Sequence, residues 1–190
     1  MTDQPDMASE SAPEDGRLPP AADVVAEFKS TLRGRDGRRH DKLVDLLVEL
    51  HGTNLAQWDL EDVTRGRDVS DRAVASAKRD IDQLNLQRHR LVQEVDAAIG
   101  DLLTQTATAT PSTETPAMVF DRLSVLVIRI DRTELIAKSS RPDAGVYAAR
   151  LPTLQRQLDM LGSALDALLR DVRDGTRRFI PYEHLKLYAP

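Results

Sequence analysis

The sequence predicts an all-α protein: an antiparallel bundle of four long helices with a short N-terminal helix and a docked C-terminal tail. Three observations carry that prediction. Four long segments repeat apolar residues at helical spacing. Three of them open on a side chain suited to cap a helix: Asp41, Ser70 and Thr115. The composition is aliphatic and alanine-rich, with 9 glycines in 190 residues, which favours helix over turn-rich β structure.

Taken in order, residues 1–19 are acidic, carry prolines at 5, 13 and 19, and have almost nothing to bury. They read as a disordered tail, and residues 20–190 as one domain. Pro20 to Leu32 reads as the short helix, with Val24, Val25 and Phe28 as its apolar face. Arg33 to Arg39 is a basic, glycine-containing loop, read as a solvated linker or a phosphate-gathering patch. The first long helix spans Asp41 to about Gly66. A tight connection leads to the second, from Ser70 to about Leu103, so the two are antiparallel neighbours. The hairpin register places Trp58 beside Lys78 and His51 beside Asn85. Glu61 and Asp62 fall one turn away. Residues 104–114, TQTATATPSTE, are a Thr-rich loop that spans the bundle or covers one end.

Thr115-Pro116 is a strong helix start, with Pro at the first helical position. The third long helix runs to about Lys138. Its segment LSVLVIRI has strand-like composition, but the cap and the 3.6 period of Val119, Leu123, Leu126 and Ile130 predict a largely buried helix. The last long helix runs from about Tyr147 to Asp174, and Gly175 stops it. The tail FIPYEHLKLY is too apolar to float and should dock.

Several function classes are set aside by composition. The net charge is −5 with both signs dispersed, so nothing indicates nucleic-acid or membrane attraction. There is no cysteine, hence no thiol chemistry, disulfide or thiolate metal site, which suits a cytoplasmic protein. No run of about 18 apolar residues exists. The four histidines have no ligand-like spacing and no Glu-x-x-His occurs, so no metal is expected. No nucleotide or nucleophile motif is present, and no cofactor is implied.

The positive signal is polar residues on inward faces. In the first long helix the stripe of Leu43, Leu47 and Leu50 continues into Asn54, Trp58 and Glu61, with His51 and Asp62 at its edge. In the second, Lys78, Asn85 and Arg88 lie within the stripe and Asp82 borders it. In the third, the stripe leads to Glu134. Buried charges need partners, so Arg88 and Glu134 are expected to bond to each other or share Asn85. Carboxylates and Asn suit hydroxyls, Trp58 suits the apolar face of a sugar, and Arg and Lys suit phosphate.

Four separated pieces occur in order: LHGTNLAQWDLEDVTR (50–65), KRDIDQLNLQRHRLVQEVD (78–96), ETPAMVFDRLSVLVIRI (114–130) and LKLY (185–188). Together they resemble domain of unknown function family 4254. The resemblance implies a bacterial cytoplasmic helical protein, encoded beside glycosyltransferases and polysaccharide or secondary-metabolite genes. It also implies recurrent polar positions here at His51, Asn54, Trp58, Glu61, Asp62, Arg65, Lys78, Asp82, Asn85, Arg88, Asp121, Arg122 and Glu134. The chain departs at Asp59, where the family commonly has His, and at Asp131 and Arg132, where it often has Tyr and His.

The candidate ligand-binding set is therefore His51, Asn54, Trp58, Glu61, Asp62, Lys78, Asp82, Asn85, Arg88, Arg122 and Glu134. It is read as a polar inter-helix site for a sugar or sugar phosphate. The alternative is a non-catalytic helical partner of a biosynthetic enzyme whose polar core only fixes helix register. No residue pattern names a reaction.

Overall fold

The computed structural model describes residues 18–34, 41–66 and 69–183. The helices are α1 (Ala21–Leu32), α2 (Lys42–Thr64), α3 (Asp71–Leu102), α4 (Pro116–Ala137), α5 (Ala144–Ala148) and α6 (Leu151–Arg173). Two-residue strands β1 (Thr110–Pro111) and β2 (Arg177–Arg178) pair in parallel. The class is all-α. Residues 1–17 of the acidic N-terminal tail, most of the basic loop and the LKLY piece lie outside the described residues; Leu18, assigned to that tail from the sequence, is instead buried in the core.

The expected caps form. Asp41, Ser70 and Thr115 accept from the main-chain nitrogens of Val44, Ala73 and Met118, satisfying donors that a helix start leaves free. LSVLVIRI is helical, and Gly175 ends the last helix at φ +73°, where a side chain would be strained. Helix α1 begins at a proline that offers no side-chain cap. A carboxylate from α6 replaces it: Ala21 N donates to Asp166 Oδ1 at 2.9 Å. The last long helix starts later than expected. The short α5 takes Tyr147, and α6 opens at Leu151 with Pro152 in its first turn.

Helix α4 is the centre. Of its 22 residues 12 are buried, against 4 in α6, because α1, α2, α3, α5 and α6 all pack on it. Helices α2 and α3 pair along their length, and the bond from Gln87 to Glu49 (3.2 Å) falls on the predicted hairpin register. The apolar core runs through Phe28, Leu47, Leu50, Ile99, Phe120, Leu123, Leu165 and Val172. Near its C-terminal end α3 buries Leu91, Val92, Val95, Asp96 and Ile99. Toward its start it buries only Ala77 and Ile81. Lys78 and Asp82, on that first part, are exposed.

Asp96, fully buried, ties three segments together. It accepts from Ala117 N at the start of α4 and from Tyr182 N in the tail, both at 3.0 Å. Burial raises its pKa, and the bonds from Thr115, Tyr182 and Ala117 oppose that rise. The described part of the tail, residues 179–183, docks: Phe179 is buried and its N–H donates to Gln105 Oε1 at 2.7 Å, while Ile180 stays exposed. Tyr182 packs against His89, ring centroids 5.8 Å apart. The Thr-rich loop, pinned by β2, therefore covers one end of the molecule rather than spanning it. Asp96→Asn puts an amide donor against one of two main-chain donors. It is expected to cost about 1–3 kcal/mol and to speed proteolytic removal of the tail. Unchanged proteolysis would show that the tail is held by packing alone.

Candidate functional site

The polar residues gathered from the sequence divide into a buried network, which reaches a surface groove through Arg88, and an open rim. The network lies where α2, α3 and α4 meet. His51 Nδ1 is 2.9 Å from Ser124 Oγ. Asn54 donates to Ser124 Oγ at 3.0 Å and to Asp121 Oδ1 at 2.9 Å. Arg88 Nε donates to the same Oδ1 at 2.8 Å, and a second guanidinium nitrogen bonds Oδ2. The pairing is a bidentate fork, the geometry in which arginine holds a carboxylate most firmly. Asp121 raises the Arg88 pKa, chiefly by hydrogen bonding.

His51 is fully buried and stacked on Phe28 of α1, centroids 4.5 Å apart and planes 9° apart. Burial drives its pKa down to about 4, and the Phe28 main chain holds that fall back. The ring is thus neutral at pH 7. Its Nε2 finds no hydrogen bond of good geometry among the described residues.

The expected Arg88–Glu134 bond does not form. Arg88 pairs with Asp121, while Glu134 bonds Lys138 in its own helix at 3.0 Å. The cause is axial register. Asp96 fixes α4's first turn beside the last third of α3, so Arg88 meets the second turn of α4. Glu134, 13 residues farther on, lies about 20 Å along the axis. Lys78 and Asp82 likewise bond each other on the exposed side of α3, at 2.8 Å, instead of facing α2. Asn85 is half-buried.

The rim holds the others. Trp58 is half-buried, and its indole N–H donates to Asp62 at 3.2 Å. Glu61 and Asp62 both bond Arg65, each at 3.3 Å. Arg122 is paired to Glu114 at 2.6 Å. Asp59 and Arg132, two positions at which the family resemblance breaks, bond each other at 2.7 Å.

Two grooves are lined by α4 and α6 together. One, about 610 Å³, is lined by Arg88, Arg122 and Arg129 beside apolar residues that include Leu126 and Met160. The other, about 690 Å³, is lined by Trp58, Asp62, Arg129, Arg132, Tyr147 and Arg150, among others. Arg129 and Gln157 belong to both. Arg150 stands over the Tyr147 ring, 5.9 Å from its centroid. A chain of net charge −5 thus lines one face with five arginines.

Arg129, Arg132, Tyr147 and Arg150 were not singled out as site residues from the sequence. One signal was present: Arg122 and Arg129 are seven residues apart on one face of a helix that is apolar between them except for Ser124. Among the described residues, no group of three His, Asp or Glu side chains is placed to hold a metal, and no helix is long and apolar enough to cross a membrane.

Fold and grooves together define an all-helical protein with arginine-lined surface grooves and a buried polar network that joins one of them at Arg88. The chain belongs to the family described as "Protein of unknown function (DUF4254)", which matches residues 44–180. No curated protein and no solved structure matches it.

Proposed function

We propose that this is a cytoplasmic small-molecule-binding protein of bacterial type, and that the α4 grooves take a sugar or sugar phosphate. Its setting is a glycosyltransferase-linked polysaccharide or secondary-metabolite pathway. The scaffold behind this reading is an antiparallel bundle of the four long helices, distorted so that α4 is central. The observation that supports it is the meeting of Trp58, Tyr147 and five arginines in solvent-reachable grooves. Aromatic faces stack on sugar rings, Asp62 and Gln157 suit hydroxyls, and guanidinium groups suit phosphate oxygens.

A second reading has one observation in its favour. His51, Asn54, Ser124 and Asp121 form a buried network that is paired internally except at His51 Nε2. That suits a helical partner of a biosynthetic enzyme, with the polar core fixing register.

Thermal shift against glucose 1-phosphate, with glucose and inorganic phosphate as separate controls, tests the first reading. Ligand at a hundredfold excess over Kd stabilises by about 2.7 kcal/mol, or roughly 5–10 °C in a chain of this size. Silence across a panel of sugar phosphates would favour the scaffold.

A further inference from the structure

The sugar-phosphate reading of the grooves leaves open why there are two of them and why they share a residue. We propose that they are two compartments of one site for a diphosphate diester. Its diphosphate lies on Arg129, its sugar beside Trp58 and Tyr147, and its second substituent on the apolar lining beside Arg88. This rests on the sugar-phosphate reading and narrows it.

Charge points to the junction. Three of the five arginines are compensated by carboxylates: Arg88 by Asp121, Arg122 by Glu114 and Arg132 by Asp59. Among the described residues, Arg129 and Arg150 have no acidic partner. A diphosphate diester carries two negative charges at neutral pH, one on each phosphate, which matches these two cations. Arg129 is also one of the two side chains that face both grooves.

Length points the same way. Arg122 and Arg132 flank Arg129 on α4, and ten residues of helix separate them by about 15 Å. A single phosphate cannot engage both ends. A molecule with a substituent on each side of a diphosphate can.

The two ends differ in chemistry. Trp58, Tyr147, Asp62 and Thr153 offer aromatic faces and hydroxyl partners, as a sugar requires. Val125, Leu126, Met160, Leu161 and Ala164 give the other groove an apolar lining beside its guanidinium groups. Met160 is 73% exposed and Leu126 is buried, so this groove is a surface slot, able to take a flat base or an apolar chain. A nucleoside diphosphate sugar and an isoprenyl diphosphate sugar share this chemistry.

Isothermal titration of the full chain with four probes tests the proposal: uridine diphosphate glucose, an isoprenyl diphosphate glucose, glucose 1-phosphate and inorganic diphosphate. At least one diphosphate sugar is expected to bind about 100-fold more tightly than glucose 1-phosphate and than inorganic diphosphate. Which of the two it is identifies the second substituent. Equal affinity for glucose 1-phosphate and both diphosphate sugars would overturn the two-compartment site while leaving the sugar-phosphate reading intact. Binding by none of the four would overturn both.

Arg129→Gln supplies an independent arm. Its exposed position and lack of an acidic partner predict an unchanged melting temperature. It is expected to weaken the diphosphate sugar by about 100-fold. A loss under about threefold would remove Arg129 from the junction and with it the proposal.

Discussion

Asp121→Ala is expected to lower stability by about 3 kcal/mol, measured as a fall in urea midpoint at constant slope. The carboxylate is buried and accepts from Asn54 and from both arms of Arg88. Removing it strands a guanidinium whose side chain is only 29% exposed and an amide with no other place to donate than Ser124. Pairing the change with Arg88→Met removes the stranded charge, so the double variant should recover part of the loss. A penalty below about 1 kcal/mol would mean that water or a rearranged Arg88 satisfies the site.

The second large effect is acid sensitivity centred on His51. Its pKa is about 4 in the folded chain against 6.5 for an ordinary histidine. Between those values the unfolded chain takes up a proton that the folded chain refuses. Stability from this residue is therefore whole above about pH 6.5 and drains as pH falls toward 4, by about 3 kcal/mol across the window. Asp96 acts in the opposite sense. Its raised pKa means that the folded state takes its proton first, which offsets part of the loss at the acid end. Urea midpoints from pH 7 to pH 4.5 should fall, and His51→Gln should flatten the slope. An equally steep slope in His51→Gln would assign the acid sensitivity to other groups.

The helices were legible because their signals are local. A cap and a 3.6-residue period sit within a few turns of each other, and Asp41, Ser70 and Thr115 behaved as caps on that basis. The α2–α3 register was legible for the same reason, since a short connection leaves two paired helices little freedom. The placement of α4 was not. It depends on how the 13 residues from Leu103 to Thr115 are spent, and those are pinned by contacts with a tail some 70 positions away. Glu134 was assigned to Arg88 for want of that information. Asp121 was named among the recurrent polar positions of the family-like pieces but not carried into the candidate set, because no apolar stripe on its helix pointed to it as an inward charge. The arginine-lined grooves were illegible for a related reason. Together they combine α2, α3, α4, α5 and α6, and no pairwise spacing reveals a surface made by five elements.

The position of Trp58 also decides what an optical probe sees. It is the single tryptophan, and it lies half-buried at a groove margin, on a stretch of α2 where the apolar core has thinned. Its emission reports the groove and the neighbouring hairpin, whereas the far-ultraviolet signal is dominated by helices organised around α4. Coincidence of the two melting curves is then a measure of how far the binding face and the core share one cooperative unit. A fluorescence change that precedes helix loss would be local opening of the site, with the body of the protein still intact.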